Sequence, residues 1–60
     1  MLVYYKGEQY LFNLGIPQCL FREYREKNPD EYVCIKKISD DCKTSKNVKL
    51  KDLKLISELN

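Results

Sequence analysis

Apolar residues along this chain fall mostly in short runs that suit β-strands better than long helices. The first pair of runs, Leu2-Val3-Tyr4-Tyr5 and Gln9-Tyr10-Leu11-Phe12, is rich in β-branched and aromatic residues and flanks Lys6-Gly7-Glu8. That pattern predicts a hairpin turning at the glycine. Regular structure should then break at 13–17, because Gly15 tolerates a positive φ and Pro17 steers Ile16 away from helical backbone. A clear strand follows at 32–38, Tyr32-Val33-Cys34-Ile35-Lys36-Lys37-Ile38. Its predecessor is ambiguous. Ile16, Leu20 and Tyr24 recur at helical spacing between Pro17 and Asn28-Pro29, which allows a helix over 17–27. Asn28-Pro29-Asp30-Glu31 also has the chemistry of a type I turn. A hairpin pairing 19–27 with 31–38 accounts for both flanks, and we favour it.

The segment 39–47 is polar and without period, so it predicts an exposed connection. In Val48-Lys49-Leu50-Lys51, apolar and basic residues alternate, which turns Val48 and Leu50 inward and the lysines outward. The alternation slips at Asp52, predicting a tight turn and a last short strand at 54–56. A helix over 52–59 with Leu53, Ile56 and Leu59 on one face is the rival reading. The pattern thus predicts an all-β or mainly β fold of five strands. The alternative is α+β, two hairpins with a short helix at 17–27 or 52–59.

The run from Tyr32 to Asp41, a polar connection, then Val48-Lys49-Leu50-Lys51-Asp52-Leu53-Lys54-Leu55-Ile56 resembles the second half of a small barrel of the Src-homology-3 type, especially Tudor-like members. The resemblance implies a five-stranded Src-homology-3-like barrel that bends sharply before its last strand, with Leu53 dropping into the core. It also implies a binding role. Tudor domains typically place a glycine in the turn after the acidic residue, whereas Asp40-Asp41 is followed here by Cys42, and no aromatic cage maps onto this chain. The chain also resembles, in style, accessory proteins of bacteriophages and prophages, some of which inhibit host proteins.

Size narrows the functional classes. Sixty residues read as one domain, 1–60, that buries only about 60% of the surface its unfolded chain exposes. Little material remains to enclose a substrate cavity. The chain has no histidine, which removes Ser-His and Cys-His catalysis and His-ligated metals. Cys19, Cys34 and Cys42 lack the close pairs of ordinary zinc sites. We therefore expect no enzyme, no metal and no cofactor. Three cysteines cannot all pair in one chain, so free thiols in a reducing, cytoplasmic setting are expected. Cys34, in mid-strand, reads as a small core residue and Cys42 as an exposed one. The longest apolar run, 1–5, is too short for a membrane span or a signal-peptide core.

The net charge of +2 is unevenly spread. Residues 1–35 carry four basic and five acidic side chains, and residues 36–60 carry seven lysines and four acids. Two interaction surfaces follow. Phe21, Arg22, Tyr24 and Arg25 combine the residue types enriched at interface hot spots and make a protein-binding candidate. This is our leading expectation, with a monomer or small homo-oligomer contacting another protein, such as a phage-type modulator acting on a host factor. Lys36, Lys49, Lys51 and Lys54 make the nucleic-acid alternative, with Tyr5, Tyr10, Tyr24 and Tyr32 as candidate stacking residues. Lysine on exposed strands also has a purely protective use against aggregation.

Overall fold

Lys6 and Gly7 both adopt positive φ, 51° and 82°, as a two-residue hairpin turn compatible with right-handed strand twist requires. In the computed structural model, which describes residues 1–13 and 15–59, this turn joins β1 (Leu2–Tyr5) to β2 (Glu8–Phe12). Leu2 stands opposite Leu11, Val3 opposite Tyr10 and Tyr5 opposite Glu8. The expected N-terminal hairpin is present. Gly15, in the following loop, takes φ 79°; Leu14 lies outside the described residues.

The favoured hairpin over 19–27 is not formed. A single-turn 3-10 helix (Gln18–Leu20) leads into α1 (Phe21–Lys27), so the helical alternative for this stretch is the correct one. The reason lies in β3 (Tyr32–Lys37), which pairs antiparallel with β2 over residues 35–37 and with β4 (Ser45–Lys49) over residues 32–36. The ladder expected from 19–27 is supplied by strands distant in sequence. The turn chemistry of 28–31 does hold: the Glu31 N–H donates to the Asn28 carbonyl at 3.2 Å. What precedes it is a helix end, where the Asn28 N–H and side-chain amide both donate to the Tyr24 carbonyl. Carbonyls at Pro29 and Glu31 accept from Lys51 and Leu50, fastening this turn to the chain beyond β4.

β4 starts inside the expected polar connection, its 45–47 backbone held by pairing with β3, and it ends two residues short of the expected strand, because Leu50 and Lys51 already belong to a 3-10 turn (Leu50–Asp52); a break before the last segment is thus present, and Leu53 is fully buried. The expected last strand at 54–56 shrinks to one bridge. Tyr4 and Lys54 exchange both backbone hydrogen bonds, at 2.8 and 3.0 Å, and the chain then coils into a 3-10 turn (Ile56–Glu58). Arg25 explains the coiling. Its guanidinium donates to the Leu53 carbonyl and grips Glu58 through both nitrogens, at 2.9 and 2.6 Å. Glu58 also accepts from the Leu55 N–H at 2.8 Å. The rival C-terminal helix with Leu53, Ile56 and Leu59 on one face is not found either, since Ile56 and Leu59 are exposed.

The result is mainly β: a four-stranded antiparallel sheet in the order β1-β2-β3-β4 plus one short helix. Among the described residues no hydrogen-bonded ladder joins β4 to β1, so the sheet is not closed into a barrel and the fifth strand is absent. It does curl: Lys46 on β4 reaches over the Tyr5 ring on β1 at 5.7 Å. The core lies inside the curl. Val3, Tyr10, Phe12, Val33, Ile35 and Val48 point there from the strands, and Phe21, Leu50, Leu53 and Leu55 complete it. Phe12 and Phe21 meet edge to face with ring centres 5.8 Å apart, an arrangement favoured by the ring quadrupole. No helix among the described residues is long and apolar enough to cross a membrane.

Candidate binding face

Strand residues directly opposite one another lie on the same side of a sheet. Val3, Tyr10 and Lys37 form one inward row and Phe12, Ile35 and Lys46 another. The outward rows follow by alternation. Leu2, Leu11, Lys36 and Ser45 form the central one, Cys34 and Asn47 the next, and Tyr32 and Lys49 the last. On the same outward face, towards the β1–β2 turn, Lys54, Tyr4 and Gln9 make a fourth row through the single bridge. None of these outward residues is a carboxylate, although the chain has nine.

The face is partly apolar and open. Leu2 is 49% exposed, Leu11 42% and Tyr32 65%. The Gln9 side chain donates to the Tyr4 hydroxyl at 2.7 Å, which holds the Tyr4 ring along its row. Lys49 lies 5.7 Å from the Tyr32 ring centre. Its nearest carboxylate, Asp30, is 3.7 Å away and also stands 3.7 Å from Lys51. Pairs this long between exposed groups contribute little, so both lysines can engage other anions. Between β2 and β3 the face dips into a recess of about 310 Å³ lined by Leu11, Asn13, Cys34 and Lys36.

Two other recesses have a different character. One of about 330 Å³, at the tips of the strands, includes Glu8, which pairs with Lys37 at 2.9 Å. The carboxylate beside it holds the Lys37 ammonium pKa above its ordinary value. A smaller one of about 200 Å³ lies along α1 between Ile16, Leu20, Tyr24 and the Glu23 and Lys27 side chains. Each contains a carboxylate, which disfavours an anionic ligand.

Compared with protein families, curated proteins and solved structures, the chain matches none of them.

The candidate residues read from the sequence are distributed unevenly over this fold. Lys36, Lys49 and Lys54 share the outward face, while Lys51 sits beyond β4 on the 3-10 turn. Among the proposed stacking tyrosines only Tyr32 lies there. Tyr5 and Tyr10 pack edge to face on the inner side, and Tyr24 donates to Glu31 at 2.8 Å, a bond that raises the Tyr24 pKa.

Three of the four helix candidates, Phe21, Tyr24 and Arg25, are engaged within the fold. Phe21 is fully buried and offers no surface. Arg25 is committed to Glu58 and Leu53, and of the four only Arg22 is largely exposed, its Nε pairing with Glu58 at 3.6 Å. The Arg25 guanidinium in turn holds the Glu58 carboxyl down at a pKa of about 2.

Cys34 is exposed, not buried, because Val33 and Ile35 take the inward positions of β3. The sequence pattern does not single out Leu2, Tyr4, Leu11 or Asn13. A usable signal was nevertheless present: β1 and much of β2 are apolar at successive positions, whereas a sheet covered on one face needs only alternate ones.

Proposed function

We propose that this chain is a non-enzymatic binding module whose outward sheet face takes nucleic acid. The observation that carries this reading is the sorting of charge. Lys36, Lys49 and Lys54 stand outward with Tyr4 and Tyr32, amide and hydroxyl groups lie between them, and no carboxylate shares their rows. Ammonium groups draw phosphates and release counterions, and exposed aromatic rings stack on bases. Catalysis has no comparable support in a chain without histidine.

The test is binding of a fluorescent oligonucleotide followed by anisotropy across a salt series. Affinity should fall as salt rises. Each phosphate neutralised on a single strand adds roughly 0.7 to the log–log slope, so the combined variant Lys36→Gln, Lys49→Gln, Lys54→Gln should flatten that slope by about 2. Absence of binding at low salt, or an unchanged slope in the variant, would overturn the reading.

A protein partner is the second reading, favoured by two observations. Leu2 and Leu11 are adjacent and half exposed at the centre of the face, and β4 keeps one edge without a ladder partner. The inward curl and the Tyr4–Lys54 bridge also support a Src-homology-3-like reading of the fold, with the chain returning to β1 where such barrels close. Free, exposed thiols at all three cysteines support a reducing, cytoplasmic setting.

A further inference from the structure

We infer that the recess between β2 and β3 is a pocket for one unstacked base, so that the face selects single-stranded over duplex nucleic acid. This rests on the nucleic-acid reading and assigns it a subsite. Leu11 supplies an apolar wall, and the Asn13 amide carries both donor and acceptor for a base edge. Lys36 supplies a cation at the rim for the adjoining phosphate. Unlike the recesses at the strand tips and along α1, this one has no carboxylate in its lining. Tyr32 lies two residues before Cys34 on the same outward side of β3. That separation is about 7 Å, which places a stacking ring beside the pocket for a neighbouring base.

Duplex DNA does not fit the same surface. Three interstrand gaps make this sheet about 14 Å wide between its outer strand axes, before side chains are counted. The major groove is about 12 Å wide and admits a helix or a two-stranded ribbon. A four-stranded face meets a duplex only at its phosphates and leaves the recess empty. A single strand can turn a base into it.

The three exposed thiols allow a direct test in the intact chain, because Cys34 lines the recess while Cys19 and Cys42 lie elsewhere. Iodoacetamide alkylation is followed at each cysteine by peptide mass spectrometry, with and without a short mixed-sequence strand offered as DNA, as RNA and as duplex. A single strand at saturation should slow Cys34 several-fold and leave Cys19 and Cys42 unchanged, and the duplex should protect none of them. Asn13→Ala, at an exposed position, should weaken single-strand binding about threefold to tenfold and leave the melting temperature unchanged.

Salt-dependent strand binding with Cys34 alkylated at its free rate would overturn the pocket and leave the nucleic-acid reading standing. Equal protection by duplex overturns the selectivity. If no strand binds at all, both fall together.

Discussion

The two sides of the same four strands differ more than any two segments of the chain. Inward, Val3, Tyr10, Phe12, Val33, Ile35 and Val48 are buried and are closed over by Phe21, Leu50, Leu53 and Leu55. Outward, residues one position away along each strand include Leu2, Leu11, Tyr32 and Cys34, all of them exposed. Burying an apolar side chain is worth about 1.5–3 kcal/mol, so the inner side accounts for most of the stability. Apolar residues on the outer side contribute little to folding. Their presence in so small a domain is what directs attention to binding.

The sharpest way to break this comparison is Phe21→Ala. Emptying the Phe21 site should cost about 3–5 kcal/mol, comparable with the whole stability of a small domain at about 5 kcal/mol. Circular dichroism should show a largely unfolded chain at room temperature. A cooperative melt near that of the parent would mean that the core does not depend on the helix.

Next in size is Glu58→Gln, which leaves Arg25 without its ionic partner. Both side chains are mostly covered, about 20% and 18% exposed, and hydrogen bonds to charged groups contribute about 2 kcal/mol, so a stability loss of that order is expected on thermal melting. The pH dependence has a definite sign. The folded Glu58 pKa of about 2 lies below its ordinary 4.5. Its stabilisation is therefore fully present above about pH 4.5 and is lost as pH falls towards 2. Asp40, lowered chiefly by the Thr44 hydroxyl donating to it, acts in the same direction. The Glu58→Gln variant should show a shallower loss than the parent between pH 4.5 and 2; parallel curves would show that the Arg25 pair is not the main titrating contact.

Cys42→Gly should move stability upwards by a smaller amount. Asp41 and Cys42 both hold φ 63°, a left-handed backbone that costs a non-glycine residue about 1–2 kcal/mol and glycine almost nothing. Glycine's freedom in the unfolded chain offsets part of the gain, leaving about 0.5–1 kcal/mol. A lower melting temperature would show that the turn uses the Cys42 side chain.

The smallest effect on folding belongs to the outer side. Leu2→Ser combined with Leu11→Ser should change stability by about 0.5 kcal/mol per site or less. A denaturant titration decides the matter: a drop comparable with that of Phe21→Ala would remove the distinction between the two sides.

Much of the fold is legible in the chain because its signals are local. The N-terminal hairpin follows from apolar runs around Lys6-Gly7, β3 from its β-branched centre, and the inward turn of Val48 and Leu50 from the alternation of apolar and basic residues. The left-handed turn at Asp41 and Cys42 is not legible, because neither position holds the glycine that ordinarily takes a positive φ. The stretch 18–27 is legible only in part. Its helical spacing and the type I turn at 28–31 are both real, and nothing local reveals that the partners of β3 come from 10–12 and 45–49. Arg25, one of the protein-binding candidates, shows the same gap. Arg25 and Glu58 stand 33 residues apart, so an arginine that reads as a surface contact is part of an internal clamp. Cys34 went outward because β3 has two apolar neighbours competing for the inside.

By itself, then, the sequence determined that 2–5, 9–12 and 32–37 extend, that the chain turns at 6–7 and 28–31, and that no histidine chemistry is open to it, because backbone propensity and residue identity act over a few positions. Tertiary structure decided between the helix and the hairpin that the sequence allows at 17–27, and it alone closed Arg25 on Glu58 and put Lys36, Lys49 and Lys54 on one side with Tyr4 and Tyr32. Those outcomes depend on strand register, in which a shift of one residue exchanges the two faces.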